Sequence, residues 1–158
     1  MAGRNHTYTV TVEWRGNRGG GTASPSAYDR DHVITGDLKH DILGSSDPSF
    51  RGDPARWNPE ELLLASLSAC HKLWYLGLCA ASGVVVQEYV DRASGTMAEQ
   101  ADGAGQFTEV TLRPEIILAP GSDDSAALAL HERAHAMCFV ARSVNFPVHH
   151  EATIRIAA

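Results

Sequence analysis

The amino-acid sequence predicts an α+β protein with an antiparallel sheet, on three observations. Its hydrophobic periodicities run strands, helix, strands, helix, strand, and not in regular strand–helix alternation. One segment from Asn58 onward is apolar nearly all round and carries helix start and stop signals. Gly-rich turns join the alternating segments on either side of it, as hairpins require. With 158 residues the chain can bury a real core in one domain and is short for two, so a single domain over residues 1–158 is expected.

The first strand is Thr7–Trp14 (TYTVTVEW), whose Tyr8, Val10, Val12 and Trp14 share a face and read as half-buried. RGNRGGGT then makes a turn, since glycines reach positive φ at little cost; no Lys-Ser/Thr follows to make the run a phosphate loop. Ala27–Gly36 is the second strand, paired back as a hairpin, and Leu43–Trp57 is a loop rich in Gly, Ser, Asp and Pro. Asn58 caps the long helix, with Pro59 at its first position, Glu61 placed for a capping box and Gly83 ending it. A helix so apolar must be enclosed by other elements or by a partner chain. The next two strand-like segments, Gly83–Met97 and Gln106–Ala119, form a hairpin, with Pro114 marking an edge or a bulge. Ser122–Phe146 reads as a second helix opened by Ser122 or Asp123. Val148–Ile156 closes the chain as a strand, with Val148, His150, Ala152, Ile154 and Ile156 on one face.

Thirteen basic against nineteen acidic residues give a net charge of −6, which argues against nucleic acid or an anionic membrane as partner. No run of about 18 apolar residues is evident, so no transmembrane span is expected. The N-terminal MAGRNHTYTV lacks the apolar core of a signal peptide, and a cytoplasmic location is the default expectation.

Three cysteines do not make a disulfide framework; in a reducing compartment a thiol pair is catalytic, redox-active or metal-binding more often than structural. Cys70 and Cys79 lie on one helix, roughly 13 Å apart along its axis and facing opposite sides, so they cannot pair with each other. An intrachain disulfide must use Cys138, with Cys70 or Cys79 as partner. Cys70 is favoured, sitting among Ser66, Ser68, Ala69 and His71, a small and partly polar patch, and small residues at Ala65, Ser66, Ser68 and Ala69 suit a helix–helix seam. It lies too deep in its helix to draw on the dipole and needs a cation from elsewhere. Arg30, Arg51 and Arg56 precede the helix and are placed to supply one.

The stretch NPEELLLASLSACH, followed far downstream by AHAMCFVARSV, resembles the OsmC/Ohr proteins, the osmotically inducible and organic-hydroperoxide-resistance peroxidases. The W-x-G…GGGT hairpin fits the same family; the family's usual Cys-Pro-Val-Ser reads CFVA here. The resemblance implies an antiparallel sheet wrapped around a long helix and completed by an intertwined homodimer. It also implies a dithiol cycle that reduces organic hydroperoxides, with Cys70 peroxidatic, Cys138 resolving and Glu60 orienting a catalytic arginine. Arg30 is the first choice for that arginine and Arg51 the second. Substrate would meet an apolar lining of Leu67, Leu73, Trp74, Phe139 and Phe146, with His71 beside it. An external dithiol of lipoyl type would restore the pair, and no flavin, haem or metal is required. Glu60 and Cys70 stand about 15 Å apart on one straight helix, so an antiparallel copy crossing near Ala65 would be needed to bring a partner's glutamate to the thiol.

Two other readings stay open. His131, His135 and Cys138 fall at i, i+4 and i+7, a plausible zinc-ligand spacing that Cys70 or His150 would complete; His149 points to the opposite face from His150. Alternatively, the fold is kept for binding a ligand without peroxidase chemistry.

Overall fold

The computed structural model describes residues 3–158, which fall into two compact units, one ending at Leu62 and one running from Leu63 to Ala158. Met1 and Ala2, where the stretch read as lacking a leader core begins, lie outside the described residues. The chain is a mixed α+β protein.

The first unit is an antiparallel three-stranded sheet of β1 (Thr11–Trp14), β2 (His32–Thr35) and β3 (Ile42–Gly44), in that order. The expected hairpin is present, with Val12 opposite Ile34 and Trp14 opposite His32. In the connecting turn the Asn17 side chain accepts from the Gly19 and Gly21 amides at 2.8 and 3.0 Å, and both glycines take positive φ. The third strand runs into the start of the expected Leu43–Trp57 loop. The half-buried reading of the first strand is corrected: Tyr8, Val10, Val12 and Trp14 are 87, 68, 62 and 42% exposed. Their apolar face is left uncovered in this chain.

Helix α1 (Pro59–Ala81) starts as its sequence dictates. The Glu61 amide donates to Asn58 Oδ1 at 2.8 Å and the Asn58 amide to a Glu61 carboxylate oxygen at 3.1 Å, a complete capping box. At the far end Gly83 takes φ +74°, and the Val84 amide closes back on the Cys79 carbonyl at 3.0 Å. Asn58→Ala should cost about 1 kcal/mol of stability, read from the urea midpoint at unchanged slope.

In the second unit, α1 buries a stripe of Leu67, His71, Tyr75, Leu78 and Cys79. Around the helix from it, Ala65, Ala69, Leu73 and Gly77 recur every fourth residue and are exposed. By length and composition alone α1 could cross a membrane; in this fold it carries residues of both hydrophobic cores.

Strands β4 (Val86–Asp91) and β5 (Ser94–Glu99) turn back through β6 (Gly105–Leu112) and β7 (Pro114–Leu118) as one bent hairpin, β5 pairing β6 and β4 pairing β7. At the bend the Asp91 carboxylate accepts from the Arg113 amide at 2.7 Å and from the Ser68 hydroxyl at 2.5 Å. Pro114 opens β7, which is a central strand, so the edge reading is corrected: as the first residue past the bend it needs no ladder donor. After α2 (Asp124–Met137), β8 (Val148–His150) and β9 (Thr153–Ile156) run parallel to β6 and β7. The sheets are therefore mixed and not purely antiparallel, because α2 supplies the crossover that parallel pairing requires.

Two cores result. Tyr75, Leu78, Cys79, Val84, Ile116, Leu118, Ala127 and Ala134 form one, where the second half of α1 meets β7 and α2. Leu67, Val110 and Leu112 centre the other, with Phe107, Val140, Val144 and Phe146 around them.

Candidate active site

Cys70 lies on the third turn of α1 and is partly exposed, whereas Cys138 is buried at 1% exposure. The second helix is shorter than expected. It is capped by Asp123, whose side chain accepts from the Ala126 amide at 2.9 Å, and it stops at Met137, leaving Cys138 as the extended C-cap residue. Its amide still reaches the His135 carbonyl at 3.2 Å, and its sulfur accepts from the Ala141 amide at 3.5 Å. Burial pushes the Cys138 thiol up to about 11, and the Cys70 thiol against it acts in the same direction. Cys138 is therefore a neutral thiol at pH 7, held beside a thiol that solvent can reach.

Cys79 is elsewhere. It packs in the core containing Tyr75, and burial raises its thiol too. A buried thiol without a stabilised thiolate is inert.

The apolar residues expected around the thiols separate into two groups. Trp74 and Phe139 meet edge-to-face at 5.4 Å, with Phe139 exposed. Leu67 is fully buried against Val110 and Leu112, and His71 is buried at 1% exposure. Neither offers surface to a substrate, which corrects their expected role as lining. Phe146 stacks towards Phe107 in the same core as Leu67, and Leu73 is exposed.

His71 instead points at His131, which the sequence offered as a zinc ligand with His135. Its Nε2 lies 3.0 Å from His131 Nδ1, and His131 stacks on Tyr75 with ring centroids 3.9 Å apart. His150 lies near both imidazoles and near His135, and its Nε2 is 3.4 Å from the Glu132 carboxylate. Burial, then repulsion by neighbouring histidines, lowers His71 to about 4 and His131 to about 3. Spacing hinted at this cluster, since His131 and His135 share a helix face, but nothing in sequence brings His71 to them.

The zinc reading is corrected. Among the described residues no group of three or more His, Cys, Asp or Glu side chains is arranged to hold a metal ion. Cys138 has left the helix that would have aligned it with His131 and His135.

In the first unit, Arg30 donates to the Pro25 and Tyr28 carbonyls at 2.8 and 2.7 Å, and its guanidinium lies 4.2 Å over the Tyr28 ring. No carboxylate pairs with it among the described residues. Arg56 is held by Asp31 at 3.0 Å and Asp53 at 3.5 Å, with a buried Nη1 left unpartnered, and Arg51 is exposed. Glu60 lies in the first turn of α1, and because α1 is continuous to Ala81 it stands about 15 Å from Cys70 along the axis.

The site is thus a reachable thiol with a buried neutral thiol beside it, next to a long capped helix in a fold of the mixed α+β class. Comparison with known proteins narrows the class: residues 52–153 match the family model described as OsmC-like protein, and the chain belongs to that family. It is similar to the uncharacterized protein YmaD of Bacillus subtilis, at 23% identity over 96% of this chain and 97% of that one. An OsmC-like protein of unknown function from Vibrio cholerae superposes with a TM-score of 0.80 at 28% identity, covering 94% of this chain and all of the other. An organic hydroperoxide resistance protein, OsmC, from Legionella pneumophila shares the fold, with a TM-score of 0.67 at 16% identity over 95 and 98% of the two chains.

Proposed function

We propose that this protein is a thiol-dependent peroxidase that reduces alkyl and lipid hydroperoxides to alcohols. The observation that supports it best is the asymmetry of the thiol pair, with Cys70 reachable and Cys138 buried, neutral and near enough for each to act on the other. The Cys70 thiolate attacks the distal oxygen of the hydroperoxide; an S–O bond forms, the O–O bond breaks, and the departing alkoxide takes a proton to leave as alcohol. Cys70 is then a sulfenic acid. The Cys138 sulfur attacks it, an S–S bond forms, and the sulfenic hydroxyl leaves as water with the proton that Cys138 carried. An external dithiol, of lipoyl type, reduces the disulfide by exchange and is itself oxidised.

Arg30 is the proposed cation for the thiolate, since it is fixed by two carbonyls and by an aromatic face while no carboxylate among the described residues pairs with it. Glu60 acts across a homodimer: the Ala65, Ala69, Leu73, Gly77 stripe admits a close antiparallel copy of α1, which carries the partner's first turn towards Cys70. The uncovered Tyr8, Val10, Val12 and Trp14 face supports the same intertwined assembly. Trp74 and Phe139 give the substrate an apolar contact.

The test is turnover with dihydrolipoamide as reductant. Cumene hydroperoxide should be consumed faster than hydrogen peroxide, because the apolar contact has nothing to bind in the smaller substrate. A folded protein that consumes neither, with several dithiols tried, would refute the reading.

A further inference from the structure

The buried histidine pair is not used by the chemistry above, and its geometry is specific. The His71 and His131 rings are coplanar to within 7°, with centroids 5.3 Å apart and facing nitrogens 3.0 Å apart. That centroid separation is what two imidazole radii plus the N···N distance add up to, so the rings meet edge to edge in line. Tyr75 and His131, at 3.9 Å, show what a face-to-face stack looks like in the same place. In an in-line N–H···N bond one proton lies between two lone-pair sites, so those lone pairs cannot converge on a metal. The pair is a strut.

The strut joins the two segments that carry the thiols. His71 follows Cys70 on α1, and His131 lies on α2, seven residues before Cys138, the residue that caps that helix. Among the described residues it is the one side-chain hydrogen bond between these helices. It is also costly, because His71 Nδ1 and His131 Nε2 are both buried without partners. Two apolar side chains would fill the space without that cost, whereas an in-line bond fixes the register of one helix on the other in a way apolar contacts do not. Side chains at adjacent helix positions point about 100° apart, so His71 acts on Cys70 through the helix and not by contact with the reacting sulfur.

We propose that His71 and His131 are positioning residues that hold the register of α2 on α1 and so keep Cys138 in place to close a disulfide with Cys70. This rests on the reading that the two thiols form a redox pair, but not on peroxide being the oxidant.

The experiment uses diamide, an azo oxidant whose N=N bond takes up the two thiol hydrogens and two electrons as the S–S bond forms. Reduced full-length protein is treated with one equivalent, quenched by alkylation, and the Cys70–Cys138 disulfide is followed by peptide mass. The rate at which iodoacetamide alkylates Cys70 serves as a control for the thiol itself. His131→Leu should slow disulfide closure about tenfold or more and leave Cys70 alkylation unchanged, as expected when a reacting group is displaced by a fraction of an ångström to an ångström. His131→Asn, which puts a hydrogen-bonding atom where Nδ1 was, should recover most of the rate. If His131→Leu does not fold, His71→Met removes the other half of the bond and carries the same expectation.

Closure as fast in folded His131→Leu or His71→Met as in wild type would overturn the proposal. So would loss of closure in His131→Leu that His131→Asn does not rescue. Normal peroxide turnover alongside equal closure rates would sink this inference and spare the peroxidase reading. His-dependent closure with diamide in a protein that turns over no peroxide would do the reverse. Absence of any Cys70–Cys138 disulfide in wild type would overturn both.

Discussion

Cys70→Ser is expected to abolish hydroperoxide turnover, by at least about a thousandfold, because a hydroxyl cannot replace the thiolate as nucleophile. Cys138→Ser should behave differently. The first equivalent of peroxide is still reduced, since Cys70 is partly exposed and reacts before Cys138 is needed. The sulfenic acid then has no thiol beside it, so it persists long enough to be trapped by a dimedone-type reagent and over-oxidises under excess peroxide. Multiple turnover falls steeply in both variants, but only Cys70→Ser loses the first turnover. Stopped-flow consumption of cumene hydroperoxide at one equivalent and in excess separates the two. Cys79→Ser should leave both phases intact, since that thiol packs in the other core.

Acid should destabilise the fold at pH values where carboxylates still carry their charge. His71 and His131 are lowered from 6.5 to about 4 and about 3, mainly by burial and next by mutual repulsion with His150 and their neighbours. Between those values and 6.5 the unfolded chain binds protons that the folded chain does not, so stability rises with pH across that window and is lost as pH falls through it. For His71 alone the loss is about 3 kcal/mol, from about 1.4 kcal/mol per pH unit of displacement. The groups facing the pair are Tyr75 on α1, Glu132 and His135 on α2, and His150 on β8; His150 is itself lowered by burial. Urea midpoints at pH 7 and pH 5 should differ markedly in wild type. In His131→Asn, which keeps a hydrogen-bonding atom but cannot be protonated, the dependence should weaken by up to one proton. An unchanged dependence in that variant would show that other groups control acid stability.

Local chemistry made α1 legible: Asn58, Pro59, Glu61 and Gly83 each act within a turn of where they stand, and each does what its residue type favours. The end of α2 was not legible, because no Gly or Pro interrupts the chain between Met137 and Phe146. The helix stops there through the packing of Cys138, Val140 and Val144, which is tertiary. The bend between β4 and β5 also lacks a breaker in its sequence; Asp91 makes it by taking a hydroxyl from α1 and an amide from Arg113. Parallel pairing of β8 and β9 follows from where α2 returns the chain, information that strand periodicity does not contain. Of the site, both cysteines stood out by type and spacing. The His71–His131 contact spans 60 residues, and no local pattern could announce it. The face of β1 was read as half-buried, and among the described residues nothing covers it.

The most direct test of the central claim is to add one equivalent of cumene hydroperoxide to fully reduced protein and map its disulfides without reduction. The expected result is a Cys70–Cys138 linkage within one chain, formed in step with cumyl alcohol, and a free Cys79. Three free thiols after the peroxide has been offered, or a linkage that excludes Cys138, would contradict it.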